Sequence, residues 1–213
     1  MRWVEPPADP AHAWSHELGL RGAHNVRNAE LARVAIEELG IDAATDDAAM
    51  TQAARGFESL PSRLTSIGTL HGVEFVDDSL STNVLPTIAA IDAFAGRPLA
   101  LIVGGYDRGI DYAELAAALA ARDAPTFVIG IPDSGSRIIA AVDAAAAAAG
   151  GAANVPIETL LADTLAAATQ AGFRRVWGDG VVLLSPAAAS FGHFGSYRER
   201  AASFHDAFAA CAD

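Results

Sequence analysis

The sequence predicts an α/β protein, an open and mostly parallel sheet flanked by helices and preceded by a short helical segment. Two observations carry this. From Leu99 onward short apolar runs alternate regularly with helical ones, and at about residue 60 the pattern changes from helical to β-rich.

Taken in order, the chain first places Val26, Ala29, Leu31, Val34, Ala35, Ile36 and Leu39 at helical spacing, a run that stops at Gly40 as a C-terminal cap. A second helix is expected over Asp46–Phe57. Two helices alone bury too little surface, so residues 1–60 are expected to be the tail of a larger domain or a small appendage, with Arg2–Pro10 poorly ordered and the hinge near Pro61. Residues 61–213 form the second domain. In it Leu64–Leu70 and Val73–Asp77 flank His71-Gly72 as a hairpin, and Leu85–Phe94 reads as a helix. Strands are then expected at Leu99–Val103, Thr126–Ile131, Asn154–Ile157 and Val181–Leu184. Helices are expected at Tyr112–Arg122, Ser134–Ala148, Thr159–Ala171 and Ser196–Ala210. Strands separated by helices pair in parallel through right-handed crossovers, which makes the sheet Rossmann-like. Ligands of such sheets sit outside the carboxyl ends of the strands. Here those ends fall at Asp77-Asp78, Gly104–Gly109, Gly130–Gly135 and Ser185–Ser190.

Composition excludes several functions. The chain has 213 residues, 52% of them hydrophobic, enough for a sizeable core. Its 26 acidic and 14 basic residues give a net charge of −12, which argues against a nucleic-acid partner. All 14 basic residues are Arg, so a phosphate-binding glycine loop ending in Lys-Ser or Lys-Thr cannot be present. Cys211 stands alone and cannot form an internal disulfide, and MRWVEPPADP does not resemble a secretory signal; the cytoplasm is the expected compartment. The Ala-rich stretch Ala140–Gly150 is too short to cross a bilayer and reads as helix, so no membrane insertion is expected.

The candidate chemistry gathers at the strand ends. Asp77 and Asp78, followed by Ser79, Ser81 and Thr82, can bind a metal, hydrogen-bond a ribose, or cap the next helix through Ser81, Thr82 or Asn83. Gly104-Gly105 allows a tight turn, and Arg108 sets a guanidinium at the sheet mouth. That group can clamp a carboxylate, or it can pair with Asp107 or Asp111 as an ordinary surface ion pair. The glycine spacing of GGYDRG does not match a dinucleotide-binding loop. Ser185–Gly192 offers hydroxyls and amides at a helix entrance, suited to an anion or to a structural turn, and the G-x-S-x-G of a serine hydrolase is missing. At the start of the first helix Asn25 is a candidate N-cap, and Asn25 and Asn28 carry amides that can meet a purine edge. His12, His16, His71, His193 and His205 have no metal-ligand spacing and read as surface or packing residues.

In order and spacing, GAHNVRNA, LPSRL, FVDDSLSTN, LIVGGYDRGIDY and VLLSPAAASFGHFGSYRERAASF resemble the Mur ligases, in particular the glutamate-adding branch of peptidoglycan precursor synthesis. The resemblance runs from Gly22 to Ala210. It implies that residues 1–60 are the C-terminal tail of the central ATP-binding domain and that 61–213 are the C-terminal, glutamate-binding domain. It implies that Asn25 and Asn28 face an adenine, Asp78 a ribose, and that Arg63 lies near the nucleotide. Thr82, Arg108, Ser190 and Tyr197 would hold the glutamate. Arg108 stands where the family commonly has Lys, and Leu80 where many relatives carry Lys.

The resemblance further implies ATP and magnesium as cofactors and UDP-N-acetylmuramoyl-L-alanine and glutamate as substrates, with an acyl phosphate as intermediate. Catalytic residues and magnesium ligands are expected outside this chain, which alone would be inactive; a monomer is expected. D-glutamate is the expected amino acid, and an L-glutamate-adding variant is the alternative. Two other readings stay open. One is a nucleotide or amino-acid binding module without catalysis, the other a ligase of another amino acid such as a folate polyglutamylating enzyme.

Overall fold

The computed structural model describes residues 13–148, 155 and 157–212. The expectations for Arg2–Pro10, His12 and Asn154 lie outside the described residues. The chain divides between Leu60 and Pro61 into two compact units.

The first unit is helical: α1 (Ala13–Glu17), α2 (Ala23–Glu38), a 3-10 turn (Asp42–Thr45) and α3 (Asp47–Arg55). Helix α2 begins three residues earlier than its apolar spacing predicts, because Gly22 at φ 84° is the N-cap and Asn25 lies inside the first turn. At its other end the Ile41 amide donates to the Ile36 carbonyl and the Gly40 amide to Glu37, the paired bonds of a Schellman cap, with Gly40 at φ 75°. Asp46 caps α3, its carboxylate accepting from the Ala48 and Ala49 amides at 2.9 and 3.3 Å.

The second unit is the predicted α/β sheet. Its strands are β1 (Thr65–Leu70), β2 (Val73–Asp77), β3 (Leu99–Gly105), β4 (Thr126–Asp133), β5 (Ile157–Leu161) and β6 (Val181–Leu184). The spatial order is β1-β2-β6-β3-β4-β5. The β1–β2 hairpin is antiparallel, and every other pairing is parallel. Helices α4 (Val84–Asp92), α5 (Ala113–Ala120), α6 (Gly135–Ala148), α7 (Leu165–Arg175) and α8 (Tyr197–Ala209) complete the unit.

Strand β3 is buried along its whole length, as a central parallel strand must be. Its side chains alternate between two cores: Leu99, Leu101 and Val103 pack with residues of α4, α5 and α6, while Ala100 and Ile102 pack with Leu165, Ala168 and Phe204 of α7 and α8.

One segment differs from expectation. The strand predicted at Asn154–Ile157 lies later, at Ile157–Leu161, and the helix predicted over Thr159–Ala171 begins only at Leu165. Thr164 stops the strand and starts the helix, its hydroxyl accepting from the Ala167 amide at 3.1 Å. Leu160 and Leu161 fit either periodicity, and the pairing of β5 with β4 decides for the strand.

Candidate functional site

Because β6 pairs with both β2 and β3, the carboxyl ends of these three strands lie side by side. The segments that leave them are stitched together by backbone hydrogen bonds. The Asp78 amide donates to Leu184 at 2.9 Å, the Ala187 amide to Ser81 at 3.0 Å, the Gly104 amide to Pro186 at 2.8 Å and the Tyr106 amide to Ala189 at 2.9 Å. Gly105 makes this approach possible. It sits at φ 141°, and a Cβ there would lie 2.4 Å from the Ala189 carbonyl oxygen.

Asp77 and Asp78 end β2 with their carboxylates buried. Asp77 accepts from the Ser62 hydroxyl at 2.7 Å and from the amide and hydroxyl of Ser79 at 3.0 and 2.6 Å, and His205 Nε2 lies 3.4 Å away. Asp78 accepts from the Leu64 amide at 3.2 Å and from the Ser185 hydroxyl at 2.7 Å. Burial pushes the Asp78 carboxyl up to about 6, against the opposing pull of hydrogen bonds from Ser81, Ser185 and Leu64 and of the Arg63 charge. Arg63 is thus close enough to act on Asp78 electrostatically. Both Asp78 oxygens are already engaged inside the unit, so a ribose hydroxyl would have to share one of them.

The cap of α4 is Asn83, whose side chain accepts from the Val84 amide at 2.8 Å. Ser81 and Thr82 are not its cap. Arg108 is exposed and donates to the Thr82 carbonyl, bringing the β3 turn against the β2 turn. It pairs with neither Asp107 nor Asp111. Arg137 takes Asp107 as its ion-pair partner, and Asp111 accepts from the Ala113 amide at 2.9 Å. The Asp107 carboxyl is held below its ordinary value by the Gly109 amide and then by Arg137. Arg108 therefore keeps further N–H donors uncommitted among the described residues.

Ser190 is buried and lines a cavity of about 250 Å³ together with Gly105, Ile131, Thr164, His193 and Phe194. Thr82, Arg108 and Tyr197 do not line it. Tyr197, half-buried, opens α8 immediately after its cap Ser196, and the Arg198 guanidinium lies 5.7 Å from its ring centre. The structure thus joins Thr82 to Arg108 and places Ser190 on a cavity that neither of them lines. In the helical unit Asn25 is buried, with Nδ2 donating to the Arg21 carbonyl at 2.8 Å, and Asn28 is exposed three residues on.

Three further polar side chains contact these segments. Nε2 of His193 and of His205 lies 3.4 Å from the carboxylates of Asp133 and Asp77 respectively. Arg200 is wholly buried behind the loops. In sequence each is an isolated polar residue near or in a helix, which reads equally well as a solvated side chain. Among the described residues no group of three His, Cys, Asp or Glu could hold a metal ion, and no helix is long and apolar enough to cross a membrane.

Fold and geometry together define a doubly wound α/β unit whose candidate site lies at the carboxyl end of β2, β6 and β3. No family model matches the chain. It is 42% identical over 191 residues to the UDP-N-acetylmuramoyl-L-alanine--L-glutamate ligase of a Micromonospora strain, covering 89% of this chain and 40% of that protein. Proteins of the same name from Salinispora tropica and Xanthomonas euvesicatoria are 40% and 39% identical, over 89% and 88% of the chain and 40% and 38% of their own length. The crystal structure of a murein peptide ligase from Psychrobacter arcticus shares the fold, with a TM-score of 0.51 at 19% identity over 87% of this chain and 38% of that one. The chain is thus similar to ligases of this name along nearly nine tenths of its own length. It spans about two fifths of the length of the curated relatives it matches.

Proposed function

We propose that this chain is the amino-acid-binding part of an ATP-dependent ligase that joins glutamate to UDP-N-acetylmuramoyl-L-alanine in peptidoglycan precursor synthesis. The observation that carries the reading is the identity of 42% over 191 residues, 89% of this chain, to a ligase of that name. The relatives' names specify L-glutamate, which favours that enantiomer over the D-glutamate expected from the sequence.

In this reading residues 61–213 are the glutamate-binding domain and residues 1–60 the tail of the ATP-binding domain. Arg108 clamps a glutamate carboxylate through the N–H groups it does not spend on Thr82, and Thr82, Ser190 and Tyr197 complete the pocket. Asn25 and Asn28 present amides to the adenine, and Asp78 and Arg63 lie toward the ribose and phosphates. ATP supplies the phosphoryl group that activates the alanyl carboxylate, with magnesium held by residues outside this chain. What these 213 residues contribute is placement: the glutamate amine must be aimed at the acyl carbon, and about 1 Å of error can cost on the order of 100-fold in rate.

The test is ligation by the full-length polypeptide with UDP-N-acetylmuramoyl-L-alanine, ATP and magnesium, offering L- and D-glutamate in parallel. Product from L-glutamate alone is expected. Product from D-glutamate alone would reverse the enantiomer, and no product from either would leave a binding module without catalysis.

A further inference from the structure

Arg200 has no assigned role, yet among the described residues it is the largest side chain with no exposed surface. It lies in the first turn of α8, and its guanidinium reaches two of the three site loops at once. Nη2 donates to the Ser79 carbonyl at 2.9 Å, in the segment that leads from β2 to Thr82, and Nη1 donates to the Ala188 carbonyl at 3.0 Å, in the segment that leads from β6 to Ser190. The third loop is fitted against it. A Cβ on Gly105, at the end of β3, would lie 3.1 Å from Nη1 and 2.4 Å from the Ala189 oxygen. One planar group therefore spaces all three strand ends.

This is an expensive way to fill a core. A guanidinium offers five donors, and here Nε has no partner among the described residues. Desolvation pushes the Arg200 pKa down to about 10, with the charge of buried Asp77 pulling the other way, so the side chain stays cationic at neutral pH. Buried charges of this kind are often no better for stability than a hydrophobic residue of similar volume, so fold stability alone does not account for one here. What a hydrophobic residue could not do is hold two carbonyls at a fixed separation.

We infer that Arg200 is a positioning residue: it sets the distance between the β2 and β6 loops and so the relative placement of Thr82 with its partner Arg108 on one side and Ser190 on the other. The link from loop spacing to glutamate rests on the function proposed above; the link from Arg200 to loop spacing does not. Lys, a compact charge on a flexible stem, lacks the rigid planar fork that holds the two carbonyls at a fixed spacing.

Two measurements on Arg200→Lys and Arg200→Met separate these links. The first is amide hydrogen exchange on the 213-residue chain. Exchange at the Ala187 and Tyr106 amides, which close the loops onto Ser81 and Ala189, is expected to accelerate at least tenfold in both variants while Leu101 and Ile129 in the sheet stay protected. The second is ligation kinetics on the full-length polypeptide, where KM for glutamate is expected to rise about 10- to 100-fold with KM for ATP unchanged. Unchanged exchange at Ala187 and Tyr106 overturns the inference, as does global unfolding of both variants, which would make Arg200 a core residue only. Accelerated exchange with an unchanged glutamate KM also overturns it, since the loops would then move without consequence for the site. If the unaltered polypeptide ligates neither enantiomer, the proposed function fails, and the exchange experiment still decides whether Arg200 spaces the loops.

Discussion

The Ser185 hydroxyl donates to the Asp78 carboxylate at 2.7 Å, joining residues 107 positions apart at the point where β6 is wedged beside β2. Its Oγ also lies 3.1 Å from the Thr87 hydroxyl, so this contact anchors α4 as well.

That carboxylate makes stability depend on pH. Asp78 shifts from 3.8 to about 6, mainly through burial, so the folded protein favours its protonated form. The sign follows. The contribution of Asp78 is fully present below about pH 4 and is lost as the pH rises through 6, up to about 3 kcal/mol at 1.36 kcal/mol per unit. Urea unfolding of the chain at several pH values between 4 and 7.5, compared with Asp78→Asn, should show the native protein losing stability relative to the variant across that window. Parallel curves would mean that Asp78 titrates normally.

Arg108 should govern glutamate affinity with little effect on the fold, because it is exposed and its bond within the chain goes to a backbone carbonyl. Arg108→Ala is expected to raise the glutamate KM of the full-length polypeptide about 10- to 100-fold, the equivalent of about 1.5–3 kcal/mol for a charged hydrogen bond. Arg108→Lys should recover part of that loss. Equal KM values in all three proteins would remove Arg108 from the pocket.

Gly105→Ala is expected to harm both fold and function. Its methyl group would meet the Ala189 oxygen at 2.4 Å in a backbone conformation that suits glycine, so the β3 and β6 ends must separate. A loss of roughly 1–3 kcal/mol in chemical unfolding is expected, together with reduced glutamate turnover. A variant as stable as the parent would show that the loops can shift at little cost.

Arg122 provides a contrast away from the site. Its guanidinium donates to the carbonyls of Ile91, Phe94 and Arg97 at 3.2, 3.3 and 2.9 Å, closing the end of α4. Desolvation lowers its pKa, and Asp123 and then Asp92 oppose that shift. Arg122→Ala should cost about 2–3 kcal/mol, a drop in Tm on the order of 5–10 °C, and leave the glutamate KM unchanged. A large KM effect would indicate that α4 transmits strain to Thr82.

Much of the fold was legible because its elements are locally coded. β3 is a continuous apolar run, Gly40 caps α2 as a left-handed residue should, and the β1–β2 hairpin turns at His71-Gly72, both at positive φ. Asn25 misled as a cap because Gly22 already starts the helix. The β5–α7 boundary failed because Leu160 and Leu161 suit a strand and a helix equally, and pairing with β4 settled it. Arg200 could not be found locally. An Arg in a helix read from sequence is a solvated charge, and only the packing of α8 against the loops of β2 and β6 turns it into a buried bridge. The contact of Thr82 with Arg108, 26 positions apart, depends likewise on two crossovers placing their strand ends together.

The strand order carries a consequence for how the unit is made. β6 comes last in chain order among the six strands of this sheet, yet it fills the slot between β2 and β3, near the middle of the sheet. Until Leu184 has left the ribosome, β2 and β3 each present toward that slot an edge of unpaired backbone N–H and C=O groups, beside Phe75, Leu101 and Ile102, which are wholly covered once the sheet is complete. The nascent chain must therefore carry an open, sticky seam from the emergence of β3 until β6 seals it with one late insertion. Closure across more than 70 residues is the step that should set the folding rate, and the stage at which a chaperone would find most to hold.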